Sequence, residues 1–157
     1  MEPARIPLKL FLLSVLWAAL ATGGLFLHGC AKHRVPSLTG DVQRIFDIYA
    51  CGGCHGSDGC EALKHTTASE TYNTTVGVPS CVRPEFNLTE PGEPSKSYLL
   101  KTLCGNKCDP PCDVICGPGT PELVGGTMPL FCRGAECLTA EEIQVVIDWI
   151  KAGAPNN

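Results

Sequence analysis

Two cysteines and a histidine stand together at Cys51-Gly52-Gly53-Cys54-His55, and this run constrains the chain more than any other. Cysteines two residues apart, followed at once by histidine, form the attachment pattern of a c-type haem. Both sulfurs can reach one edge of a flat macrocycle, and the histidine can turn back to ligate its iron. Gly52 and Gly53 lack side chains and so permit a close approach of backbone and ring. A zinc knuckle would need a second ligand pair, and a thioredoxin-like redox pair would sit in a βαβ pattern. Neither context is evident in the sequence. One covalently bound haem c, on Cys51 and Cys54 with His55 as an axial ligand, is therefore the expected cofactor.

The chain before this run divides in two. Arg5 and Lys9 give a basic start, and from Leu10 to Leu27 every residue is apolar or small and none is charged. Such a stretch reads as a targeting segment, outside the fold. It ends at Leu27-His28-Gly29-Cys30, which resembles the lipobox of bacterial lipoproteins. The resemblance implies a signal peptide over residues 1–29 and an acylated Cys30 as the mature N-terminus. Residues 30–38 are then a lipid-anchored tether. An uncleaved spanning anchor is the alternative, since the apolar stretch is just long enough to cross a bilayer. Either arrangement exports the domain and holds it at a membrane, and several acyl chains suffice for stable anchoring.

The remaining length suits one domain. A net charge of −4, without clustered Lys and Arg, argues against a nucleic-acid partner. No phosphate-binding glycine loop and no G-x-S-x-G elbow is present. Asn73-Thr74-Thr75 and Asn87-Leu88-Thr89 match the glycosylation pattern by chance if the chain is bacterial. Eleven cysteines indicate an oxidising compartment. Setting aside Cys30, Cys51 and Cys54 leaves an even set: Cys60, Cys81, Cys104, Cys108, Cys112, Cys116, Cys132 and Cys137. Four disulfides are expected, with 105 pairings open in principle. A zinc or iron–sulfur site at residues 104–116 is the weaker reading, because exported thiols oxidise. Cys132–Cys137 is the pair expected first, closing a short loop after Met128-Pro129.

Periodicity outlines three helices. Val42, Ile45, Phe46 and Tyr49 share one face of a helix starting near Asp41, capped by Ser37 or Thr39, that runs into Cys51. A second is expected after Pro91-Gly92-Glu93-Pro94, capped by Ser95, with Tyr98, Leu99 and Leu103 inward and an end near Gly105. The third has Thr139 and Glu142 as a capping box, Ile143, Val146, Ile147 and Ile150 as its stripe, Trp149 at the flank and Gly153 at its stop. Residues 57–93 read as a loop over the haem edge. Residues 104–137, interrupted by Pro110, Pro111, Pro118 and Pro121, admit no long helix.

In order, these pieces resemble the class I, mono-haem cytochromes c of bacterial envelopes. The resemblance rests on the helix entering Cys51–His55, the Pro-Gly-Glu-Pro-Ser helix start and the Met128-Pro129 loop. It rests also on the closing Leu-Thr-x-x-Glu-Ile…Trp-Ile-x-x-Gly-Ala helix, and spans about residues 39–154. It implies a mainly α, three-helix cytochrome c domain around one haem, here with added disulfide-rich loops. It implies an electron carrier, not an enzyme, whose partners are redox proteins, in an envelope compartment facing the periplasm or the cell exterior. A small haem enzyme with an open sixth site, and a module in which haem is only a structural or sensory staple, are the alternatives. Met1 leaves with the leader, so Met128 is the sole mature methionine, in a Gly125-Gly126 loop closed by Pro129. It is the expected sixth ligand, since Met/His is the usual pair in these proteins. His65 is the rival ligand but reads as a surface histidine, and His33 lies too near the anchor.

Overall fold

Ser37 starts the fold by reciprocal hydrogen bonding. Its hydroxyl accepts from the Gly40 N–H at 3.1 Å, while the Asp41 carboxylate accepts from the Ser37 N–H at 2.7 Å. A π-helical turn, Leu38–Val42, then leads into helix α1, Gln43–Ile48. Val42, Ile45 and Phe46 are buried, as their spacing predicts, and Leu38, from the stretch read as tether, is buried with them. Ala50 ends this run at φ +50°, a left-handed conformation that costs a residue with a Cβ roughly 1–2 kcal/mol. The chain turns there and restarts as the single helical turn α2, Cys51–Cys54. The computed structural model describes residues 34–56, 63–130, 132 and 137–157.

The stretch expected to be loop contains a helix, α3, Ala68–Thr75. Thr67 caps it by accepting from the Glu70 N–H at 3.2 Å. No apolar period announces α3 because its buried face consists of Thr71 and Thr75. Their hydroxyls are satisfied inside the fold, Thr71 donating to Gln43 Oε1 and Thr75 to the Thr71 carbonyl, each at 2.7 Å. The chain after α3 is irregular and joined by two isolated bridges, Val76 with Thr89 and Pro79 with Asn87. Beneath it Leu63, Leu88 and Tyr98 form a small apolar cluster of their own.

A 3-10 turn, Pro94–Lys96, precedes α4, Tyr98–Cys104. Ser97, not Ser95, flanks that helix, and its hydroxyl accepts from the Glu90 N–H and donates to the Glu93 carbonyl. Ser97 thus fastens the preceding loop instead of capping the helix. Helix α5, Ala140–Lys151, has the expected capping box. Trp149 lies at 0% exposure, not at the flank, because its indole N–H donates to the Pro155 carbonyl where the chain folds back. The C-terminus closes on the beginning of the domain: Leu38 N–H donates to Asn157 Oδ1 and Thr39 N–H to the Asn157 carbonyl, both at 2.9 Å. One core joins Leu38–Phe46, Leu99 and Leu100 of α4, Ile115, and the inner face of α5.

Three disulfides are defined: Cys104–Cys112, Cys108–Cys116 and Cys132–Cys137. The last is the pair expected from sequence. Cys81 is also disulfide-bonded, while Cys30 and Cys60 lie outside the described residues. Cys104 and Cys112 are buried in the core, so that bridge staples α4 to the 3-10 turn Cys112–Ile115. Loops this short place each bridge at roughly 2–3 kcal/mol in the chain-entropy account. Alkylation of the native protein without reductant is expected to leave these six cysteines unlabelled. Ready labelling of Cys104, Cys108, Cys112 or Cys116 would revive a metal site there. Among the described residues the fold is mainly helical, with almost no strand, and no helix is long and apolar enough to cross a membrane.

Candidate haem-attachment site

Cys51 is half-buried and Cys54 exposed at the two ends of α2, and His55 follows with its N–H donating to the Cys51 carbonyl at 2.9 Å. These two are the free cysteines among the described residues. Burial pushes the Cys51 thiol up to about 11, so it is held protonated at neutral pH. The two glycines between them are not equivalent. A Cβ on Gly52 would meet Thr66 Cγ2 at 3.1 Å and the His65 carbonyl at 3.3 Å, whereas one on Gly53 would meet nothing within 4 Å. A side chain at Gly52 would therefore press on residues 65–66, which would have to give by a few tenths of an ångström.

His65 is not the surface histidine that the sequence indicates. It is 4% exposed, with its N–H donating to the His55 carbonyl at 2.9 Å. Its ring packs 4.8 Å from Phe46 and meets the His55 ring edge-to-face at 5.6 Å between centroids. Burial first, and the neighbouring His55 second, push its pKa down to about 4, so it is neutral at physiological pH. A net of hydrogen bonds lets a polar ring sit there. Gln43 Nε2 donates to the His65 carbonyl and to Asp47, each at 2.8 Å, and Thr71 lies 3.3 Å from His65 Nδ1. The one sequence signal was the alternation Leu63-Lys64-His65, whose outer members are both buried.

Met128 is half-buried and held by a different set of residues. Its N–H donates to the Thr102 carbonyl at the end of α4, at 2.8 Å. Upstream, the Tyr98 hydroxyl donates to the Val124 carbonyl and accepts from the Val124 N–H. Downstream, the Cys132–Cys137 bridge closes the loop, and the Met128-Pro129 peptide is cis. The structure thus fixes His55 and Met128 separately, one through α2 and residues 63–66, the other through α4 and the bridged loop.

Tyr49, just before α2, connects these regions. Its phenolic proton lies between Glu142 Oε2 at 2.7 Å and the Cys137 carbonyl at 3.0 Å. Glu142 is also the carboxylate of the α5 capping box. The hydrogen bond to Glu142 pushes the Tyr49 pKa up to about 12, aided by burial. For Glu142, burial acts upward, but the bonds from Thr139 and Tyr49 together hold it below the usual carboxylate range. The stabilisation carried by Tyr49 is therefore complete below pH 10 and lost as pH rises towards about 12. That carried by Glu142 is complete above its unfolded pKa and lost as pH falls through the lowered folded value. Tyr49→Phe is expected to cost about 1 kcal/mol at pH 7, a partly exposed bond to a charged group. In urea unfolding the difference from wild type should shrink at strongly alkaline and at acid pH. A cost independent of pH would contradict the coupling.

Comparison with protein-family models, with curated proteins and with solved structures finds no match to the chain. What the residues define directly is a mainly helical, disulfide-bearing domain that keeps two thiols free beside a histidine.

Proposed function

We propose that the protein is a mono-haem c-type cytochrome, anchored by lipid at Cys30 to a bacterial envelope membrane, that passes single electrons between redox proteins. One observation carries the reading. Every described cysteine outside the C-x-x-C-H run is oxidised to a disulfide, while Cys51 and Cys54 remain thiols on one helical turn ending at His55. Two neighbouring thiols kept unpaired where every other described cysteine is bridged fit a covalent use of their sulfurs. Cys51 and Cys54 would hold the porphyrin as thioethers, and His55 and Met128 would be its axial ligands. A haem held there supplies reversible one-electron transfer.

The chain's own residues would set how that chemistry runs. His55 and Met128 are both half-buried, and if they held the haem iron between them they would limit rearrangement between oxidation states. Cys54 is exposed, and so is Ile48 at 60% at the end of α1, which leaves surface open to a partner. The acidic balance suits a partner with a basic docking face. The carrier reading is tested by reducing the purified protein with a soluble donor and adding membranes from the same cells. Rapid reoxidation is expected. A haem that stays reduced with membranes, and reacts instead with peroxide, would replace the carrier by an enzyme.

A further inference from the structure

His65 lies beside the proposed axial histidine with a hydrogen-bond network that fixes which of its nitrogens carries the proton. Gln43 Nε2 faces two groups that can only accept, the His65 carbonyl and the Asp47 carboxylate. Its Oε1 must then face Thr71, whose hydroxyl donates to it at 2.7 Å. With its single proton so used, Thr71 Oγ1 can only accept from His65 Nδ1, 3.3 Å away. His65 therefore carries its proton on Nδ1, and Nε2 is left as an acceptor. The ring is buried on Phe46 and cannot turn freely. The His55 ring is its neighbour, 5.6 Å away between centroids and edge-to-face with it, so an in-line N–H···N bond between the two imidazoles, at a separation of about 5 Å, requires His55 to turn about its side chain.

We propose that His65 is a positioning residue for the axial ligand: its Nε2 accepts the Nδ1–H of His55 when His55 Nε2 faces the iron. The inference rests on the cytochrome reading above. Such a bond fixes the tautomer and orientation of a metal-bound imidazole and raises its basicity. A more basic His55 favours the ferric state, so His65 lowers the midpoint potential. An imidazole acceptor also holds the ring in one rotational setting, with Gln43 and Thr71 as the outer supports.

The test uses the haem-loaded full-length protein. In the wild type, nitrogen-15 NMR of the ferrous form should show His65 protonated at Nδ1 and not at Nε2. A His55 Nδ1–H proton slow to exchange and coupled to His65 Nε2 should accompany it. His65→Leu should raise the ferrous-to-ferric ratio at fixed potential by about tenfold, which is about 59 mV for one electron. His65→Gln keeps a donor for Thr71 and an acceptor for His55 and should restore most of the shift. The proposal is overturned if His65 carries its proton on Nε2, if His55 Nδ1–H shows no coupling to it, or if both variants leave the potential unchanged. It is also overturned if His65 proves to be an iron ligand. If His65→Leu does not fold, the wild-type spectrum decides. A wild type carrying no covalent haem would remove the cytochrome reading itself, an outcome distinct from all of these.

Discussion

Met128→Ala, in the haem-loaded protein, is expected to open the sixth position to carbon monoxide and cyanide and to lower the midpoint potential. A thioether is a soft ligand that favours ferrous over ferric iron, so its loss removes a stabilisation of the reduced state. The fall should be some part of the roughly 0.8 V over which axial ligands act. The loop that presents Met128 is fastened at Val124, at Met128 itself and at the Cys132–Cys137 bridge. Truncating one half-buried side chain should therefore leave the loop in place, and the effect should be chemical. His65→Ala is the control: it should not open the sixth position and should not lower the potential. The Met/His assignment fails if the wild type already binds carbon monoxide readily, or if His65→Ala and not Met128→Ala changes the spin state.

Gly105→Ala should act on the same ligand from a distance. Gly105 ends α4 at φ +65° and ψ −132°, a region open in practice to glycine alone. The backbone conformation by itself would cost alanine about 1–3 kcal/mol. In addition, the new Cβ would run into Thr127 Cγ2, one residue before Met128. The Thr127 side chain or the loop itself must then give, next to the point where Met128 N–H reaches the Thr102 carbonyl. We expect a loss of stability in that range together with a weakened methionine–iron bond, seen as a raised affinity for carbon monoxide. Adding Thr127→Ala removes the collision but not the backbone strain, so the double variant should recover ligation while remaining less stable. Loss of stability with unaltered carbon monoxide affinity would separate Gly105 from the ligand loop.

How much of this was legible in the sequence depended on whether burial was driven by apolar surface or by polar partners. The faces of α1 and α5 were readable because Val42, Ile45 and Phe46, and Ile143, Val146, Ile147 and Ile150, repeat at helical spacing. The capping box of Thr139 and Glu142 was readable because its chemistry is local. Helix α3 was not, because Thr71 and Thr75 are buried through hydroxyl bonds to Gln43 and to a carbonyl within the helix. His65 was misplaced for the same reason: its burial depends on Gln43 and Thr71, neither adjacent to it in sequence. The angle of Trp149 on the helix puts it at a flank, yet the returning chain covers it at Pro155. Of the candidate site, the C-x-x-C-H run and Met128 stood out by residue type. Gly105, Tyr98 and Tyr49 did not, since what they do is hold those residues from elsewhere in the fold.

Whether Cys51 and Cys54 carry a haem is read out by peptide mass spectrometry of the native, unreduced protein from a host that matures c-type cytochromes. The peptide containing residues 51–55 is expected to bear one haem through two thioether bonds. The bridged cysteines should appear as disulfide-linked peptides in the same digest. Recovery of that peptide without haem, its two thiols free or joined to each other, would contradict it.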